Sequence, residues 1–200
     1  MLERVIQDSL RGITVVEEEE GSINRILSRQ IAESARAAGM RVAFLALVEE
    51  EQPEPISTTV GGGGQQVNKP TRTRYRARDS TKEMLQGLDY DMIVIDSFSS
   101  YFVDKTDTDA VDLLRQIAEL SKQEKSFVIV YETGILSSRA NAYLHSVADN
   151  LIIVKTDLVG ERITRMLFVP KVISGEPFDR LIKITVDGTA VQEDTREFVG

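Results

Sequence analysis

The sequence contains no cysteine, no tryptophan and one histidine among its 200 residues. Disulfides, thiolate metal sites and cysteine nucleophiles are therefore excluded, and a lone His145 excludes metal sites built from several imidazoles. No apolar run approaches the ~20 residues that span a bilayer, and the first residues lack the basic and then apolar order of a secretion signal. We expect a cytoplasmic protein with no metal, no bound cofactor and no membrane contact.

The overall composition is typical of a globular domain. Hydrophobic residues make up 42% of the chain and charged residues 28%, a balance that excludes a disordered polymer. The net charge of −8 disfavours nucleic-acid binding by the surface as a whole. We expect one domain over residues 1–200, large enough to bury a sizeable core.

Strand and helix patterns alternate along the first three quarters of the chain. Short β-branched or continuously apolar runs predict buried parallel strands at 12–16, 41–48, 91–96 and 126–131. Apolar residues at three- and four-residue spacing predict a helix that begins at Ile23 and ends at Gly39, and a second helix over about 109–122. His145 also lies on a predicted helix, where a structural role is favoured over that of a general base.

The last third of the chain predicts antiparallel strands. Residues 150–156 and 161–169 are strand-like and are joined by a hairpin-like connection, and a further strand over 181–186 runs into Asp187-Gly188, a two-residue turn signal. The predicted fold class is α/β. It has a mixed, mainly parallel central sheet flanked by helices, with antiparallel strands at the C-terminal end.

Residues 51–78 do not fit this alternation and are interpreted as an insertion or arm. The segment holds prolines and four consecutive glycines, and its second half alternates strictly. In an extended chain one face would carry the arginines, namely Arg72, Arg74, Arg76 and Arg78, with Tyr75 on the other face. Three interpretations stay open: a solvated hairpin arm, an arm that docks on an acidic partner, and a phosphate or nucleic-acid contact.

The turn between the first strand and the first helix stands where nucleotide hydrolases carry a phosphate loop. That loop reads G-x-x-x-x-G-K-[ST], with glycines that let backbone N–H groups approach the phosphates, a lysine for the β/γ-phosphates and a hydroxyl for Mg²⁺. At the four fixed positions this chain has other residues, Glu18, Ile23, Asn24 and Arg25, while Gly21 and Ser22 lie between them. Ser22 is a candidate N-cap for the helix.

These changes oppose phosphoryl transfer. The lysine and the magnesium ligand are both replaced, and Glu18 adds a negative charge beside a triphosphate. Two like charges ~4 Å apart at an effective dielectric of ~20 repel by roughly 4 kcal/mol. Arg25 can restore one positive charge, although it starts a helix turn away from the place of a lysine head.

The ordered set of elements resembles the RecA-superfamily ATPases of the KaiC, RadA and FlaH kind, with the archaeal FlaH-like branch nearest. The resemblance implies a RecA-like fold with a degenerate phosphate loop. It places Asp96, followed by Ser97, at the Walker B carboxylate, and Glu49 and Glu50 at the residues that polarise the attacking water. It also places Lys171 in an element that can reach the nucleotide of a neighbouring subunit. The alternatives are a helix-capping or loop-ordering role for Asp96 and a solvated strand end for Glu49 and Glu50.

We therefore expect a protein without ATPase activity that acts as a scaffold or regulatory subunit. Its partners would be further copies of itself or an active RecA-fold relative. Two other hypotheses remain open: a nucleotide-binding ATPase or sensor with an atypical phosphate site, and a RadA-like regulator that binds nucleic acid through the arginine arm.

Overall fold

The computed structural model describes residues 1–18, 23–47, 72–75, 85, 87–96, 98–102, 105–159, 162–175, 177–178, 180–188 and 190–195. The strands of this part of the chain are β1 (Ile13–Glu18), β2 (Val42–Leu47), β3 (Arg72–Tyr75), β4 (Met92–Asp96), β5 (Ser126–Glu132), β6 (Asn150–Val159), β7 (Arg162–Lys171), β8 (Ile182–Asp187) and β9 (Ala190–Glu193). They form one sheet in the order β3-β2-β4-β5-β1-β6-β7-β8-β9.

Helices cover both faces of this sheet. They are α1 (Leu2–Asp8), α2 (Ile23–Ala37), α3 (Asp107–Ser121) and α4 (Ser138–Val147), and a 3₁₀ turn (Ser99–Phe102) follows β4. No pattern in the sequence predicts α1. None of the helices in the described ranges combines the length and the apolar character that a membrane crossing requires.

The sheet is parallel from β3 to β6 and antiparallel from β6 to β9, as the sequence predicts. The central strand is β1, which is buried along its whole length between β5 and β6. Residues 72–75 of the segment interpreted as an insertion form β3, a parallel edge strand beside β2. The remainder of that segment lies outside the described residues.

The antiparallel hairpin of β6 and β7 is longer than the sequence predicts. Asp157 and Leu158, expected in a connection, continue β6, and Leu158 pairs with Ile163 across the hairpin. The β8–β9 turn is shifted by one residue, because Asp187 still pairs with Ala190. Cross-strand pairing extends these strands beyond the points at which the local turn signals suggested they end.

Two apolar clusters lie on opposite faces of the sheet. One packs α3 and α4 against β4, β5 and β1, and the other packs α1 and α2 against the reverse side and the antiparallel strands. Of the α2 residues that the helical spacing predicts to face inward, Leu27, Ile31 and Ala35 are buried, whereas Ile26 and Ser34 are only partly buried. On α3 the sequence predicts Val111, Leu114 and Ile117 among the inward residues. Leu114 and Ile117 are buried, Val111 is only partly buried, and Leu113 and Leu120 are buried although they were not predicted to face inward.

The last antiparallel strand, β9, contacts α2. The Gln30 side chain in α2 accepts a hydrogen bond from the Val191 N–H at 3.0 Å and donates one to the Val191 carbonyl at 3.1 Å. At Val191 the outer side of the β9 backbone is thus paired by a helix side chain, and α2 packs against both β1 and β9.

A buried amide joins the start of β1 to the antiparallel half. The Asn150 Nδ2 group donates to the carbonyls of Asp8 and Arg11 and to Thr14 Oγ1 at 3.0–3.1 Å. Its Oδ1 atom accepts from the Ile173 N–H at 2.8 Å. One side chain therefore positions α1, the turn before β1 and the turn after β7.

We predict that Asn150→Ala destabilises the protein by about 2–3 kcal/mol, because it leaves buried backbone groups without partners. Urea denaturation measures the change in the free energy of unfolding. The control is Asn141→Ala in α4, where the Oδ1 atom has no hydrogen-bond partner within the described structure. Equal losses in the two variants would contradict the role assigned to Asn150.

Candidate functional site

The candidate site lies at the carboxyl edge of the parallel strands, where open α/β sheets bind their ligands. Three acidic residues end neighbouring strands here: Glu18 ends β1, Glu132 ends β5 and Asp96 ends β4. Glu18 and Glu132 are direct partners in the β1–β5 register. The first turn of α2 faces this edge, and the sequence-predicted residues Asn24 and Arg25 lie in that turn.

Glu18 turns toward the start of α2 and is buried there. Its Oε2 atom accepts a hydrogen bond from the backbone N–H of Asn24 at 3.1 Å. Burial raises the pKa of Glu18, an effect only partly offset by the hydrogen bonds from Asn24 and Ile23 and by the positive charge of Arg165. The carboxyl group thus takes one of the amide donors that a helix N-terminus otherwise offers to an anion.

Asn24, at the lysine position of the loop motif, is buried rather than extended into the cleft. Its Oδ1 atom accepts from the Arg25 N–H at 2.7 Å. Among the described residues its Nδ2 group and the Glu18 Oε1 atom have no hydrogen-bond partner. The Asn24 amide carries no charge, so nothing at this position offsets a phosphate.

Arg25 does bring a positive charge to the site. Its Nε atom lies 3.3 Å from Asp96 Oδ1, and its Nη2 atom lies 4.0 Å from Glu132 Oε1. Arg25 is the residue at the Ser/Thr position of the loop motif, and the structure brings it onto the residue that the resemblance assigns as the Walker B carboxylate. The guanidinium connects α2 to the ends of β4 and β5.

On the other face of β1, Glu17 pairs with the only histidine. His145 Nε2 lies 2.6 Å from Glu17 Oε2, and the Glu17 side chain is almost fully buried. The neighbouring Tyr131 is buried, and this burial together with the Glu17 charge raises the pKa of its hydroxyl. The contact joins α4 to the end of β1, and the structural role expected for His145 stays a prediction.

Lys171 is not brought together with the other predicted residues. It pairs with Leu151 near the start of β6, and its Nζ atom donates to the Ser146 carbonyl of α4 at 3.2 Å. Lys171 is therefore on the α4 side of the sheet, away from α2.

Several predicted site residues lie outside the described part of the chain. These are Gly21, Ser22, Glu49, Glu50, Arg76 and Arg78. Arg72, Arg74 and Tyr75 belong to β3, and their role in a partner-binding arm stays a prediction. Within the ranges that the structure describes, no group of three or more histidine or acidic side chains is arranged to hold a metal ion.

Three contributors to the site were not anticipated from the sequence: Glu132, Arg165 and the pairing of Glu17 with His145. Glu132 comes directly after the strand predicted at 126–131. Because parallel strands end at one edge of the sheet, its position could have been used to predict that it lies at the site. Arg165 sits on β7, and only the strand order places its charge near Glu18.

Comparison with known proteins gives the fold. No protein-family model and no curated protein sequence matches the chain. The structure is similar to that of the flagellar accessory protein FlaH from Methanocaldococcus jannaschii, with a TM-score of 0.66 and 13% identity over 92% of this chain and 90% of that one. It is equally similar to the KaiC-like protein PH0186 from Pyrococcus horikoshii OT3, with a TM-score of 0.66 and 10% identity over 90% and 88%.

The raised pKa of Glu18 predicts a specific pH dependence. The folded state holds this proton more tightly than the unfolded chain, so the stabilising contribution is complete below the unfolded pKa, near 4.5. It is lost as the pH rises through the higher folded pKa. We expect Glu18→Gln, which cannot ionise, to gain free energy of unfolding relative to wild type as the pH rises from 4 to 7.

Denaturation curves at several pH values measure this difference. Glu33→Gln, at an exposed position of the same helix, is the control and should run parallel to wild type. A Glu18→Gln curve that stays parallel to wild type throughout would show that burial does not perturb this carboxyl.

Proposed function

We propose that this chain, whose fold is the RecA-superfamily fold of FlaH and KaiC-like proteins, is a non-catalytic protein of that fold with a degenerate phosphate loop. It acts in the cytoplasm as a scaffold or regulatory subunit of an oligomeric assembly. Its partners are further copies of itself or an active protein of the same fold.

The observation that carries this proposal is the hydrogen bond from the Asn24 N–H to Glu18. Phosphate binding at a helix N-terminus depends on free backbone N–H groups and on the positive end of the helix dipole. Here a carboxyl group of the protein itself accepts from such a donor and stands beside the dipole. A phosphate would have to displace a buried side chain in order to bind.

The residues present do not fit the magnesium nucleotide that the fold implies. The lysine position holds the neutral, buried Asn24, and Arg25 replaces the hydroxyl that would hold Mg²⁺. The carboxylate of Asp96 is already paired with the Arg25 guanidinium. Each element of the usual phosphoryl-transfer machinery in the described cleft is therefore absent or engaged.

An exposed apolar surface supports the assembly role. Leu158 and Ile163 are cross-strand partners near the end of the β6–β7 hairpin, and they are 73% and 58% exposed. Both side chains lie on the same face of the hairpin. Because exposed neighbouring apolar side chains favour contacts between proteins, this face is where we expect a partner to pack.

We predict that the protein neither turns over ATP nor is stabilised by it. A ligand at 100 times its Kd adds ~2.7 kcal/mol to the free energy of unfolding, so a thermal-shift titration with Mg-ATP should leave Tm unchanged. A phosphate-release assay run beside a working P-loop ATPase should stay at background. A single-turnover burst of phosphate would refute the non-catalytic assignment.

For the assembly we predict an oligomer that depends on the hairpin face. Light scattering coupled to size-exclusion chromatography should give a mass above that of one chain, and Leu158→Ser with Ile163→Ser should lower it. Asp157→Ser, on the opposite face of the same strand, is the matched control. A strict monomer that also binds no active RecA-fold protein would contradict the scaffold proposal.

A further inference from the structure

We infer that Arg25 takes the structural place of a divalent cation in this cleft, so that the carboxyl edge keeps one conformation whatever the metal or nucleotide concentration. The inference rests on the proposed function, and it adds how the assembly is regulated. A scaffold built on this cleft would be permanently in one state rather than switched by nucleotide.

The first ground is connectivity. The Arg25 guanidinium lies within 3.3 Å of Asp96 and 4.0 Å of Glu132, and so it joins the first turn of α2 to the ends of two strands. A metal ion that bridged the two carboxylates would join the ends of the same two strands, and the Ser/Thr hydroxyl of a working phosphate loop supplies the ligand from the helix. Because the guanidinium belongs to the chain, this connection is present in every folded molecule.

The second ground is the chemistry of arginine. A guanidinium is planar, always charged and presents several N–H donors, so one group can serve two carboxylates at once. Lysine offers a single compact charge and would not span both partners. Asp96 is less exposed than Glu132, with 18% of its side chain accessible against 37%. The less hydrated of the two carboxylates therefore receives the closer guanidinium contact.

The third ground is the matching anion. Glu18 accepts from the α2 amide as a phosphate oxygen would, and Arg25 neutralises Asp96 as a cation would. Glu18 at the end of β1 thus takes the place of the phosphate, and Arg25 at the start of α2 takes the place of the metal ion. Hydrolysis or dissociation of a ligand changes neither of them.

The test compares the Tm of the full chain in excess EDTA and in millimolar MgCl₂. We expect the wild-type Tm to be the same in both. Arg25→Ala should melt about 2–4 °C lower in EDTA, the shift typical of a modest, partly screened ion pair in a chain of this length. Magnesium should return part of that loss, because it can replace the missing charge between Asp96 and Glu132.

Two further variants make the result specific. Arg29→Ala, at an exposed position one turn along α2, controls for charge and helix propensity and should show no magnesium response. Arg25→Lys keeps the charge and serves if the alanine variant fails to fold. It should lie between wild type and Arg25→Ala in its Tm and retain a smaller magnesium response.

The outcomes separate this inference from the proposed function. A wild-type protein stabilised by magnesium, or an Arg25→Ala variant that magnesium does not stabilise more than Arg29→Ala, would overturn the role of Arg25. ATP turnover or a partnerless monomer would overturn the proposed function instead. A wild-type oligomer whose mass and Tm do not change when Mg-ATP is added supports both the proposed function and the role of Arg25.

Discussion

The architecture depends on how β1 ends. This strand is buried on both faces, and it finishes in two consecutive carboxyl groups whose side chains must leave on opposite sides of the sheet. Each needs a partner on its own side. Glu17 finds His145 in α4, and Glu18 finds the first amides of α2. One strand end therefore fixes a helix on each face, and the cleft is shaped by the protein's own polar groups.

Much of the fold follows from local sequence patterns. Continuous apolar runs identified β1, β2, β4 and β5 within one or two residues, and helical periodicity identified α2 and α3. These local patterns do not encode contacts between residues far apart in the chain. The extension of β6 and β7 depends on cross-strand pairs, and α1 is held by packing against α2 and by Asn150. The predicted face of α3 is confirmed at Leu114 and Ile117, whereas Leu113 was missed because neighbouring helix positions are equally apolar.

The site was predictable in position but not in its contacts. The loop motif, aligned with the strand–turn–helix, predicts Glu18, Asn24 and Arg25 as site residues. The strand that ends in an aspartate predicts Asp96. Their meeting point follows from parallel strands ending at one edge. The pairing of Arg25 with Asp96 depends on a rotamer of a long side chain, and no spacing rule encodes that. Lys171 lies on the α4 side of the sheet, and its role toward the nucleotide of a neighbouring subunit stays a prediction.

The pairing of Gln30 with Val191 has a consequence for how the molecule behaves when crowded. Edge strands with free backbone groups recruit strands from other chains, which leads to fibrillar growth and misassembly. At Val191 both outward backbone groups of β9 are already bonded to α2. A foreign strand would first have to displace a side chain from the helix that also carries Arg25. The edge of the sheet is therefore protected at Val191 against backbone pairing with a strand of another molecule.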